Sequence, residues 1–68
     1  MIKCNFNKRQ LALLERLGVD GTAAYSDDDW DDIRDKVHDL LMYEGFNDDN
    51  TPNDVGRICE EIIDITYW

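Results

Sequence analysis

Between Trp30 and Leu41 the apolar residues fall at helical spacing: Trp30, Ile33, Val37, Leu40 and Leu41. At about 100° per residue they form one stripe, and Asp28, Asp31, Asp32, Asp35 and Asp39 gather on the opposite side. A segment this one-sided must bury its stripe against something else. In a chain of 68 residues there is no room for a barrel or a nucleotide-binding sheet of ordinary size, so the cover must be one or two further short helices. A chain of this length buries only about 60% of its unfolded surface, which sets stability as modest.

Two such helices are legible. The first is predicted over about Lys8 to Leu17, with Asn7 as N-cap. Leu11, Leu14 and Leu17 mark one face, with Leu13 beside it. Gly18 follows where a left-handed residue ends a helix, and Val19 is placed to fold back onto Leu14. The long helix is predicted over Asp27 to Glu44, capped by Ser26, with Asp29 completing a weaker capping box. Asp27, Asp28 and Asp29 stand in its first turn, where the macrodipole favours negative charge. Gly45 ends it, and Phe46 is expected to pack back on Leu41. A third helix is predicted from Thr51 as N-cap, Pro52 at the first position and Asp54 at the third. Its apolar face is Val55, Ile58, Cys59, Ile62, Ile63 and Ile65. Ile2, Cys4 and Phe6 alternate with polar residues at the period of a strand, but no partner strand is evident. They read as an extended arm that pins Ile2 and Phe6 over the helices. Val19 to Tyr25 reads as a loop with a turn at Asp20-Gly21, and Tyr25 as a staple onto Trp30. The expected fold is all-α: residues 1–68 as one small three-helix domain with an extended N-terminal arm.

Charge narrows the function. Sixteen acidic residues against seven basic ones give a net charge of -9, which disfavours direct binding to nucleic acid. The charge is also unevenly placed. Residues 1–16 carry Lys3, Lys8, Arg9 and Arg16 against Glu15, so the arm and first helix are basic beside an acidic body. On the long helix Asp32, Asp35 and Asp39 step one turn at a time, about every 5–6 Å, a spacing broadly like that of phosphates on one nucleic-acid strand. Arg34 and Lys36 flank the ridge, with Asp32 and Lys36 a favourable i,i+4 pair. A charged face is ordinarily a solvated face that keeps a small protein soluble. Stacked like charges nevertheless weaken a helix by about 0.2–0.5 kcal/mol per adjacent pair, and interleaved lysines would have given solubility without that cost. The ridge therefore reads as a docking surface for a basic protein, one that binds nucleic acid and meets in the ridge a mimic of its phosphates. Met42 and Tyr43 stand at its margin as apolar contacts. The expected partner site is Asp28, Asp31, Asp32, Asp35, Asp39, Met42 and Tyr43.

Chemistry of other kinds is thinly represented. His38 is the single histidine and has no nucleophile beside it, so it reads as a surface residue. No nucleophile motif, glycine-rich phosphate loop or Cys-x-x-Cys pair is present, and no enzyme activity or cofactor is expected. Cys4, His38 and Cys59 lack the spacing of zinc ligands. Asp49, Thr51, Asn53 and Glu60 occupy positions one, three, five and twelve of a calcium-loop frame. Asp54 replaces its glycine, however, and Pro52 starts a helix inside it, so no metal site is expected. No signal peptide and no membrane span are legible. Cys4 and Cys59 read as buried thiols, since a bridge needs Cα atoms within about 7 Å. The expected location is the cytoplasm.

The segments Gly45-Phe46-Asn47-Asp48-Asp49, Thr51-Pro52-Asn53-Asp54-Val55-Gly56 and Ile58-Cys59-Glu60-Glu61-Ile62-Ile63-Asp64 carry a resemblance. With Asn5-Phe6-Asn7-Lys8-Arg9-Gln10-Leu11 and Ser26-Asp27-Asp28-Asp29, the chain resembles small acidic helical proteins of unknown function from Gram-positive bacteria and their phage and mobile elements. The shared positions are caps and core, so the resemblance implies a fold and no catalytic residues. By analogy of size and charge alone, phage-type inhibitors of nucleic-acid machinery, the anti-CRISPR kind among them, are the expected functional class. The competing expectation is a housekeeping adaptor or a homodimer that uses an apolar patch of Leu13, Tyr67 and Trp68, the acidic face serving only solubility.

Overall fold

The structure is a computed structural model and describes residues 1–67. Its helices are α1 (Lys8–Arg16), α2 (Asp27–Glu44) and α3 (Asp54–Thr66). The architecture is all-α, and α3 packs against both α1 and α2. The core joins Leu13 and Leu14 of α1, Trp30, Ile33, Val37 and Leu41 of α2, and Cys59 and Ile62 of α3. These are largely the residues whose spacing predicted the apolar faces. Ile65 is an exception: it is exposed, and Thr66 is buried in its place. The Thr66 hydroxyl donates to the Ile62 carbonyl at 2.9 Å, which satisfies a polar group that burial would otherwise penalise.

Local chemistry explains the boundaries of α1. The Asn7 side chain accepts from Gln10 N–H, and the Gln10 side chain accepts from Asn7 N–H, both at 2.9 Å. This is a full capping box. At the other end Gly18 adopts φ +77°. Its N–H reaches the Glu15 carbonyl at 3.0 Å, and Val19 N–H reaches the Leu14 carbonyl at 2.9 Å. That pair of bonds is a Schellman ending, and it brings Val19 back into the core. At the start of α2 the Ser26 hydroxyl accepts from Asp29 N–H at 3.2 Å.

Gly45 ends α2 for a different reason. Its backbone is right-handed, at φ -81° and ψ -3°. Phe46, expected to pack back on Leu41, is exposed and pairs with Pro52 in an antiparallel bridge. A Cβ on Gly56 would strike the Gly45 carbonyl, so the end of α2 and the start of α3 cross at backbone contact.

The start of α3 also differs from expectation. Its N-cap is Asn53, not Thr51. Asn53 Oδ1 accepts from Gly56 N–H at 2.8 Å, and its Nδ2 donates to the Glu44 carbonyl at 2.6 Å. One side chain thus ends one helix and begins the next. Thr51 is engaged elsewhere, because its N–H and hydroxyl both donate to Asp49 Oδ1. Its carbonyl accepts from Asn47 N–H at 2.7 Å.

The arm does have a partner. Ile2 and Tyr25 exchange two backbone bonds, at 2.7 and 2.9 Å, as an isolated antiparallel bridge. The indole N–H of the fully buried Trp30 donates to the Ile2 carbonyl at 2.8 Å. Phe6 and Tyr25 pack on the Trp30 ring at centroid distances of 6.0 and 5.1 Å, Tyr25 edge-on. The expected Tyr25 staple is therefore present, and the arm and loop are fastened to one aromatic residue.

Candidate functional site: the acidic face of α2

All five aspartates of the ridge, Asp28, Asp31, Asp32, Asp35 and Asp39, are exposed along α2. The helix places them on one side because its opposite stripe, from Trp30 to Leu41, is held in the core. Met42 and Tyr43 continue the face toward the C-terminal end, at 66% and 92% exposure. The expected residues thus share one continuous face.

The flanking cations do not behave alike. Arg34 Nη1 pairs with Asp31 Oδ1 at 2.8 Å. Its other terminal nitrogen donates to the Thr66 carbonyl at the end of α3, and its guanidinium stands 5.5 Å from the centre of the Tyr67 ring. Among the described residues, Asp31 is therefore the one ridge residue whose charge is directly offset by an arginine. The Asp32–Lys36 pair expected from spacing is not among the ion pairs of the described residues, which are Arg34–Asp31 and Arg16–Glu44. Asp28, Asp32, Asp35 and Asp39 present their charge to solvent.

A furrow borders the ridge on the side of α2 that faces the end of α1. It consists of two adjoining hollows that meet at Lys36. One is lined by Gly18, Val19, Tyr25, Asp29, Asp32 and Ile33, the other by Leu17, Asp39, Leu40, Tyr43 and Glu44. Sequence reasoning placed Asp32, Asp39 and Tyr43 in a site but missed Leu17 and Leu40. Their signal was weak: Leu40 lies at the rim of the apolar stripe, and Leu17 closes α1.

The competing expectation drew on Leu13, Tyr67 and Trp68. Leu13 is 5% exposed and belongs to the core, so it offers no surface. Tyr67 is exposed beside Arg34, and Trp68 lies outside the described residues. His38 is exposed.

Other chemistry-bearing groups serve the fold. Asp20 and Asp49 sit in matching turns, each accepting the backbone N–H and the hydroxyl of the threonine two residues on. Those hydrogen bonds, the side-chain one first, hold both carboxyls below their ordinary value. Two members of the calcium-loop frame, Asp49 and Asn53, are thereby engaged in a turn and a cap. No group of three or more histidine, cysteine, aspartate or glutamate side chains suited to a metal ion occurs among the described residues. Cys4 and Cys59 are free and buried, and burial pushes both thiols up from 9.0. Among the described residues no helix is long and apolar enough to cross a membrane. Comparison with protein-family models, curated proteins and solved structures finds no match to the chain.

Proposed function

We propose that this chain is a non-enzymatic interaction protein that sets the acidic face of α2 on a basic surface of a nucleic-acid-binding protein. It would act there as a mimic of nucleic-acid phosphates. The observation that carries the reading is the exposure of Asp28, Asp32, Asp35 and Asp39 along one helix face with no lysine or arginine paired to them in the described residues. Four uncompensated carboxylates at helical spacing, ending in exposed Met42 and Tyr43, form a field that attracts cations and repels phosphate. A phage or mobile-element inhibitor of host nucleic-acid machinery is the biological role that fits such a surface. The cytoplasm is the compartment where that machinery lies.

The test is capture from the lysate of the host cell. The wild-type protein should retain nucleic-acid-binding proteins that a DNA competitor displaces. About 1 M salt, where the Debye length falls to about 3 Å, should release them. A variant carrying Asp32→Lys, Asp35→Lys and Asp39→Lys together should retain none. If the reversed protein captures the same partners as strongly, the ridge is not the docking surface.

A further inference from the structure

The furrow beside the ridge indicates how a basic partner would be held. Its base is apolar, with half-buried Leu17 and Leu40 in one hollow and buried Ile33 in the other. Its edge is acidic, with Asp29, Asp32 and Asp39 against the single cation Lys36. Along α2 it extends from Asp29 to Tyr43, about 21 Å at 1.5 Å per residue, or nearly four turns. Tyr43 stands over its far end almost fully in water, although an apolar neighbour, Leu40, lies beside it.

We propose that this furrow seats an amphipathic basic segment of the partner protein. Apolar side chains of that segment rest on Leu17, Leu40 and Tyr43, while its lysines or arginines face Asp32 and Asp39 and reach over to the ridge. The inference rests on the functional reading above and adds the form of the partner. Charge complementarity selects this occupant. A nucleic acid would bring phosphates against the acidic edge, and the basic first helix of a second copy has its apolar face, Leu13 and Leu14, already buried in its own core. An uncharged apolar helix would leave the carboxylates without partners, whereas a basic amphipathic one satisfies base and edge together.

Two synthetic peptides of equal length and charge test it, one alternating leucine and lysine at helical spacing, the other with serine in place of leucine. The leucine peptide should bind the full chain about tenfold more tightly, the effect expected of burying one large apolar side chain. Tyr43→Ala, a change at an exposed position, should remove most of that advantage. A Leu17→Ser variant should act in the same direction, and amide shifts should cluster at Leu17, Lys36, Leu40 and Tyr43. Equal affinity for the two peptides, or an advantage that survives both substitutions, overturns the furrow as the seat. The ridge fails separately: that outcome is a serine peptide that binds the triple-lysine variant as well as it binds the wild type.

Discussion

Two glycines show how differently single residues are constrained. Gly18 needs its left-handed backbone but has open space around it, whereas Gly56 has an ordinary helical backbone and no space at all. Gly18→Ala should cost about 1–2 kcal/mol of backbone strain. Gly56→Ala gains about 1 kcal/mol of helix propensity, yet it forces a methyl group into the Gly45 carbonyl. A clash with backbone cannot be relieved by turning a side chain and costs about 3–4 kcal/mol, above the usual range of overpacking, so Gly56→Ala should be the worse of the two, with a net loss of about 2–3 kcal/mol. Urea denaturation of both variants checks the order, and a Gly56→Ala protein as stable as wild type would show that α2 and α3 can part without cost. Gly18 was legible from sequence because its cause is local: a helix stop followed by an apolar residue. Gly56 was not, because its cause is a carbonyl eleven positions earlier that only the fold brings near. Arg34 and Lys36 present the same contrast. Both flank the ridge on a helical wheel, but only Arg34 lies within reach of the Thr66 carbonyl.

At the scale of the element, periodicity fixed which segments are helices, and competition among caps fixed where they begin. Thr51-Pro52 has a strong start signature, yet Asp49 takes the Thr51 hydroxyl at 2.6 Å and Asn53 caps α3. Asn53→Ala should therefore cost about 1–2 kcal/mol, the range of a missing N-cap, and it also removes the hydrogen bond to the Glu44 carbonyl. Thr51→Ala, which only loosens an exposed turn, should cost clearly less. Thermal melts of the two variants distinguish the caps, and the reverse order would return the start of α3 to Thr51. The bridge between Ile2 and Tyr25 was illegible for a related reason. One pair of residues has no period, so the alternation of Ile2, Cys4 and Phe6 showed an extended arm but not what it pairs with. The acidic ridge needed only one helix to be seen. The furrow needed α1 placed beside α2, and so the site was half legible.

For the whole molecule, pH should bound a plateau of stability at both ends. Asp20 and Asp49 have carboxyls held below 3.8 by their threonine hydrogen bonds. The stability they contribute is complete above the unfolded value and is lost as pH falls through the folded ones. Cys4 and Cys59 have thiols raised above 9.0 by burial. Their contribution is complete below that value and is lost as pH rises through the folded ones. Thermal midpoints should fall at both extremes. Substituting both aspartates by asparagine should flatten the acid side, and substituting both cysteines by alanine the alkaline side. An unchanged acid limb in the first variant, or an unchanged alkaline limb in the second, would show that other groups set it.

The position of α3 against both other helices also has a consequence for the order in which the chain is made. Leu13 and Leu14 lie in one core with Cys59 and Ile62, and Gln10 donates to Glu61 at 3.4 Å. α1 leaves the ribosome before α3 and must wait for it before its buried face is covered. Until Ile62 has emerged, the arm and Trp30 can fasten only the first half, and the nascent protein carries an open core.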